Sequence, residues 1–384
     1  MLLTAIIGGN SPDLDLLVSY RGRLGGQLAY LLQHRGYTHT VVGCVILAAV
    51  LYAGVETWMR WRHFEPSRTD RAILAGVALF GTGLHLAMDA LNSYGVHPFW
   101  PLRNEWIYGD SVYIVEPLYW AAAAPLLFVV RSLAARVFLG LALLVAVLVS
   151  ALSGLVAPVA VGFLTGFAAV LALIGRRATA RTASLAAALA FVLVTVGFIA
   201  AGHAAAREGE RLAHADFPAD GLIDDVLTPM PANPLCWDAL VLQVHGDRYF
   251  ARHAVIALAP RLIPAVQCGG SPVMGRPTWV PQTPAAIEEA ASLRWREFSM
   301  SRDSLIALID GHCQARALMQ FARAPFAVYV GPGAGTGWIV GDLRFVRGAT
   351  PGFSDIHLAA EPRRQSPCTP PVPWGVPRED LLHR

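Results

Sequence analysis

The sequence predicts a mainly α-helical membrane protein: a polytopic transmembrane bundle over residues 1–206, then a small soluble α+β domain over 207–384. Three observations carry this. Of 384 residues, 55% are hydrophobic and only 15% charged, against about 25% charged in soluble domains; the mean hydropathy is +0.47. Apolar stretches of about 20 residues, enough to span a bilayer, recur up to residue 206 and then stop. Beyond that point the chain is polar and punctuated by proline and glycine.

Taken in order, residues 1–9 are apolar but too short to span, and read as the end of a helix. No basic stretch precedes them, so they do not read as a signal peptide. Spans are predicted near 40–58, 72–92, 114–130, 137–152, 157–175 and 184–204. Arginine placement orients them. The loop 59–71 holds Arg60, Arg62, Arg68 and Arg71, whereas 93–113 holds only Arg103. The next turn carries Arg131 and Arg136, 153–156 carries none, and 176–183 carries Arg176, Arg177 and Arg181. Rich and poor loops alternate, which predicts cytoplasmic rich loops and an outward-facing tail. Arg21, Arg23 and Arg35 run against this pattern and invite a role toward substrate anions. In the tail, Ala239–His245, Phe326–Val330 and Trp338–Phe345 have the β-branched and aromatic character of strands. Helical periodicity is expected near 284–297 and 302–322.

Composition also excludes chemistry. All 30 basic residues are arginine, so lysine Schiff-base and lysine-base catalysis are excluded. The net charge of +3 and the lack of a basic tract argue against a nucleic-acid partner. No G-x-S-x-G elbow occurs. The run Gly331-Pro332-Gly333-Ala334-Gly335-Thr336-Gly337 lacks the Lys-Ser/Thr of a phosphate loop and reads as a hairpin connection. The five cysteines form no CxxC pair. Cys44 lies in an apolar helix, whereas Cys236, Cys268, Cys313 and Cys368 fall in the tail and are expected to include a disulfide if it faces an oxidising compartment.

The chemistry-bearing residues gather at the ends of apolar segments. His85 and Asp89 stand four apart, on one helix face, with Asn92 a turn further. Such a pair either chelates an ion or joins helices by hydrogen bonding. His34 and His39 flank Gly36; a helix ending near His34 and a new start capped by Thr38 would aim both inward. Asp13 and Asp15 are either oxygen ligands or a general base, or else part of an Asx turn around Pro12. Trp100 and Trp106 suit an interfacial aromatic belt, Glu116 suits a helix cap, and Asp110 is a further candidate ligand or base. On the arginine topology all these residues reach one membrane face. The scattered His203, His214, His245, His253, His312 and His357 lack ligand spacing.

The series Pro12-Asp13-Leu14-Asp15, His34-Arg35-Gly36-Tyr37-Thr38-His39, His85-Leu86-Ala87-Met88-Asp89-Ala90-Leu91-Asn92-Ser93-Tyr94-Gly95 and Phe99-Trp100-Pro101 resembles the signature of a bacterial inner-membrane family of metal-dependent hydrolases. These are of the LexA-regulated, membrane-bound type, first described as a domain of unknown function. The resemblance covers residues 1 to about 130. The family's usual opening helix, with an early Thr-His, has no counterpart here. Asn233-Pro234-Leu235-Cys236-Trp237 and Asp342-Leu343-Arg344-Phe345 look like the tail of longer members.

The resulting expectation is an integral membrane metal-dependent hydrolase acting at the membrane surface on a phospholipid or other ester amphiphile. His34, His39, His85 and Asp89 would bind a divalent ion, zinc being the expected one. Asp13, Asp15 or Asp110 would complete a second position or act as base, and Arg35, Asn92 or Arg103 would hold substrate. The alternative is a transporter or metal-handling protein using the same residues as an ion site.

Overall fold

Apolar length decides the first half of the molecule. The computed structural model describes residues 1–17, 26–214, 221–269, 283–288, 291–331, 337–346, 352–360 and 371–382. Within these, five helices are long and apolar enough to cross a membrane: α3 (Val41–Trp61), α4 (Arg68–Asp89), α6 (Leu133–Leu152), α7 (Pro158–Arg177) and most of α8 (Ala180–His214). The sixth expected span, 114–130, is not one helix. It forms α5 (Pro117–Ala122) and a 3-10 segment, Ala124–Phe128. Pro125 explains the break, since it can neither donate to nor sit inside a continuing helix. Arg21 and Arg23 lie outside the described residues.

By its contacts the chain divides into two compact units: residues 1–109 with 300–346 and 351–384, and residues 110–299 with 347–350. This division differs from the compositional one at residue 206, because the last part of the chain groups with the first.

In the first unit, α1 (Leu2–Asn10) packs on α3 and α4. Glycine permits the approach: a Cβ on Gly81 would stand 3.0 Å from the Gly9 nitrogen. Small residues at crossings are the usual means of close helix packing in membranes. A 3-10 turn, Pro12–Leu14, follows α1, and α2 (Gln27–Gln33) leads to a second 3-10 turn, Tyr37–His39. Helix α3 is capped by Thr40, whose hydroxyl accepts from Gly43, rather than by the expected Thr38. Helix α4 starts with a reciprocal Ser67–Asp70 capping box and ends at Asp89. The same unit contains α9 (Arg302–Gly311), α10 (Cys313–Leu318), the antiparallel strands β6 (Pro325–Val330), β7 (Gly337–Asp342) and β8 (Ile356–Ala359), and α11 (Glu379–Leu382). Strands β6 and β7 are antiparallel neighbours, as the hairpin reading of 331–337 requires; residues 332–336 themselves lie outside the described ones.

The second unit holds α5 to α8 and a five-stranded sheet of order β1-β2-β3-β5-β4. Its strands are β1 (Leu222–Met230), β2 (Asn233–His245), β3 (Arg248–Ala257), β4 (Thr283–Glu288) and β5 (Ser292–Ser301). The helix expected over 284–297 is therefore the β4–β5 pair. Its alanines and glutamates favour helix locally, but pairing within the sheet outweighs so small a preference. At about 1.5 Å per residue the 35 residues of α8 extend about 52 Å, beyond a hydrocarbon core of about 30 Å. Its last turns accordingly carry the Arg211–Glu208 ion pair and pack on β1 and β2. Glu116 caps α5 through the Leu118 N–H and also accepts from the Ala232 N–H in the β1–β2 turn. Cys236 and Cys268 form a disulfide within a buried cluster that includes Val255 and Ile263. Cys313 is disulfide-bonded too, Cys44 is free, and Cys368 lies outside the described residues.

Candidate metal centre

Four side chains from three places in the first unit converge. Asp13 comes from the turn after α1, His39 from the turn before α3, and His85 and Asp89 from the last turns of α4. Each offers a ligand atom within 4.8 Å of the others. His39 Nε2 is 3.2 Å from His85 Nε2, 3.3 Å from Asp13 Oδ1 and 3.2 Å from Asp89 Oδ2. His85 Nε2 is 3.5 Å from both Asp13 Oδ1 and Asp89 Oδ2. A tetrahedral ion with ligand bonds of about 2.0–2.2 Å sets its donors about 3.3–3.6 Å apart, so this spacing fits one ion at the centre. Asp89 Oδ2 is buried and makes no hydrogen bond among the described residues, although it faces two imidazole nitrogens. Such an atom is the kind a cation satisfies.

The surrounding groups fix which ring nitrogens face inward. His85 Nδ1 lies 2.7 Å from the Gly9 carbonyl oxygen and must donate to it, which leaves Nε2 as the inward lone pair. His39 Nδ1 lies 3.0 Å from Thr38 Oγ1 and 3.4 Å from Asp15 Oδ2. Asp15 is itself held by the Arg35 N–H, the Thr38 hydroxyl and His34 Nδ1, at 3.0, 2.9 and 3.0 Å. Arg35 is buried, with Nη2 on Asp89 Oδ1 at 2.9 Å and Nη1 on Asn92 Oδ1 at 2.9 Å, and it lies over the Tyr94 ring. Its backbone adopts φ 62°. This left-handed conformation is uncommon outside glycine and typical of functional turns.

Electrostatics follow from this arrangement. Burial alone would push the His39 imidazole down, but Asp13, Asp15 and Asp89 outweigh it and raise the group to about 10. Burial likewise favours protonated carboxyls at Asp13 and Asp15, yet the facing histidines hold both well below the usual carboxylate range. The cluster is thus an anionic site that demands positive charge, from protons on imidazole or from a cation. Asp13, with 42% of its side chain exposed, is the side open to entry.

His39, His85 and Asp89, expected as ligands, come together, and Asp13 joins them. His34 belongs instead to a neighbouring group with Asp13 and Asp15 that has metal-ligand spacing of its own. Arg35 and Asn92, expected to hold substrate, are engaged with each other and with Asp89. Arg103 is exposed. Asp110 falls in the second unit, at φ 45°. None of His203, His214, His245, His253, His312 and His357 joins a metal-type cluster among the described residues.

Three supports were not foreseen. Arg344, buried and paired with Asp342 at 2.7 Å, donates to the Ser93 and Tyr94 carbonyls and so holds the turn that presents Asn92. Trp374 closes over Gly36, where a Cβ would stand 2.5 Å from its ring. His97 lies between Trp106 and Trp374, at centroid distances of 3.8 and 4.7 Å. The available signals were a buried-type arginine in Asp342-Leu343-Arg344-Phe345 and a lone tryptophan in a proline-rich tail.

The family model described as YdjM inner membrane protein matches residues 1–158, a stretch that contains the whole four-residue cluster. That similarity, over less than half of the chain, and the five apolar helices support a membrane protein. No curated protein and no solved structure matches the chain.

Proposed function

We propose that this protein is an integral membrane metal-dependent hydrolase that acts at the bilayer surface on an ester or phosphoester amphiphile. One observation carries the reading: two inward Nε2 atoms and two carboxylate oxygens converge at tetrahedral spacing, at the start of α3 and the end of α4. Asp13, His39, His85 and Asp89 would hold a divalent ion, zinc by its donor chemistry. When bound, such an ion lowers the pKa of its water to about 7 and polarises a phosphoryl or carbonyl oxygen.

The chain's own residues do the rest. Arg35 holds Asp89 through Oδ1, so that Oδ2 stays turned inward. Gly9 and Thr38 set the histidine tautomers. His34, whose Nδ1 is held by Asp15 at 3.0 Å and which lies beside Asp13, would take a proton from water through its other ring nitrogen and pass it outward. Ligands at helix ends, rather than halfway along α3 and α4, favour a surface reaction over transport. The Cys236–Cys268 bond supports an outward-facing second unit, since disulfides persist in oxidising compartments.

The test is turnover. Purified protein loaded with zinc is given vesicles of phosphatidylglycerol containing phosphatidic acid, and released phosphate and fatty acid are measured. Turnover is expected to vanish with chelator and in Asp15→Asn. Turnover unchanged by chelator would contradict the proposal.

A further inference from the structure

Beside the ion cluster, the first unit contains a cavity of about 540 Å³ lined by Gly26, Gln27, Tyr30 and Phe353. Its size is that of a site for an organic ligand. Its wall is mainly apolar. The Gln27 amide on it is engaged, because its Nε2 donates to the Gly352 and Asp355 carbonyls, both at 2.7 Å. These bonds also fasten the Gly352–Asp355 turn to α2 and hold Phe353 against Tyr30, with ring centroids 6.3 Å apart. Phe353, also packed on Phe345, remains 44% exposed and offers an apolar wall.

Ring contacts link the cavity wall to the cluster. Tyr30 stacks on His34, centroids 5.2 Å apart, and His34 meets His39 edge to face at 5.7 Å. One aromatic row therefore leads from the cavity wall to a candidate ligand. Leu14 and Leu17, 53% and 64% exposed, add apolar surface on the segment that carries Asp13 and Asp15. An ionic site with an apolar cavity next to it matches a molecule with a charged head and a hydrocarbon tail. The bilayer that the spans of this chain require is a ready source of such molecules.

We propose that the cavity between α2 and the Gly352–Asp355 turn receives one acyl chain of a lipid whose ester or phosphoester group lies at the Asp13–His39–His85–Asp89 cluster. This rests on the hydrolase reading above and assigns its substrate class: an acyl lipid entered chain-first, not a small soluble ester. The head is placed by the ion cluster, and the chain selects against short substrates.

The experiment uses full-length, zinc-loaded protein exchanged into amphipol. Binding of ethyl, butyl, hexyl, octyl and decyl phosphate is measured below their micellar concentrations, with metal content read on the same samples. Each buried CH₂ contributes up to about fourfold in affinity, so affinity is expected to climb with chain length and level off when the cavity is full. Phe353→Arg should flatten the climb while metal content stays unchanged, and Phe353→Leu should preserve it. Equal affinity across the series, or a full climb in Phe353→Arg, would overturn the proposal. The two readings fail separately: metal-loaded protein without chain-length dependence contradicts the cavity alone, and metal-free protein that keeps the dependence contradicts the ion cluster alone.

Discussion

Arg35 shows how one residue sets the geometry of several. Its backbone takes a left-handed φ of 62°, its N–H anchors Asp15, and its fork joins Asp89 to Asn92. Lysine keeps the charge but cannot hold two partners in a plane. Arg35→Lys is expected to weaken zinc affinity about 10–100-fold, the usual effect of losing a group that orients a ligand, as measured by competition with a chelator. His97 is a second case. Burial pushes this imidazole down to about 3, and the unfolded group titrates near 6.5. Below about pH 6.5 the unfolded chain binds the extra proton, so the stability His97 contributes is present above that pH and is lost as the pH falls toward about 3. The melting temperature should drop less between neutral and acid pH in His97→Phe than in the parent. The histidines and Asp89 were legible in the sequence because i, i+4 spacing and position at apolar ends are local facts. Asp13 was legible only as one of several candidate oxygen ligands or bases, because its place beside His39 and His85 depends on how the turn after α1 meets the end of α4.

At the level of elements, two motifs far along the chain hold structure laid down elsewhere. Arg344 joins Asp342 in the core and holds the Asn92–Gly95 turn through two carbonyls. Removing one partner of a buried ion pair strands the other, which costs about 3–5 kcal/mol. Arg344→Met should therefore lower the melting temperature markedly, and zinc affinity with it, because Asn92 loses its support. Cys236–Cys268 closes a loop of 32 residues by sequence separation, and Cys236→Ser should cost about 2–4 kcal/mol, read as a drop in melting temperature under non-reducing conditions. The long apolar helices were legible because their signal is length and composition. The broken segment at 117–128 and the β4–β5 pair were not: a single proline overrides hydropathy in the first, and sheet neighbours override alanine propensity in the second.

For the whole molecule, composition marks a change at residue 206, whereas contacts group residues 300–346 and 351–384 with 1–109. Hydropathy reads solvent, and no local pattern announces which distant segment a helix end will pack on. The predicted orientation follows from the arginine-poor loops and from the disulfide-bonded second unit. A reporter fused after Arg384 should be active only when translocated across the membrane. A reporter active only in the cytoplasm would invert the topology and move the ion cluster to the inner face.

The most direct measurement of the central claim is metal content by elemental analysis of purified protein and its single variants. About one zinc per chain is expected for the parent, with most of it lost in Asp13→Ala, His39→Ala, His85→Ala and Asp89→Ala and retained in His245→Ala and His312→Ala. If the first four variants all keep the parent's metal, the cluster is not a metal centre, and its polar residues serve only to hold helix ends together.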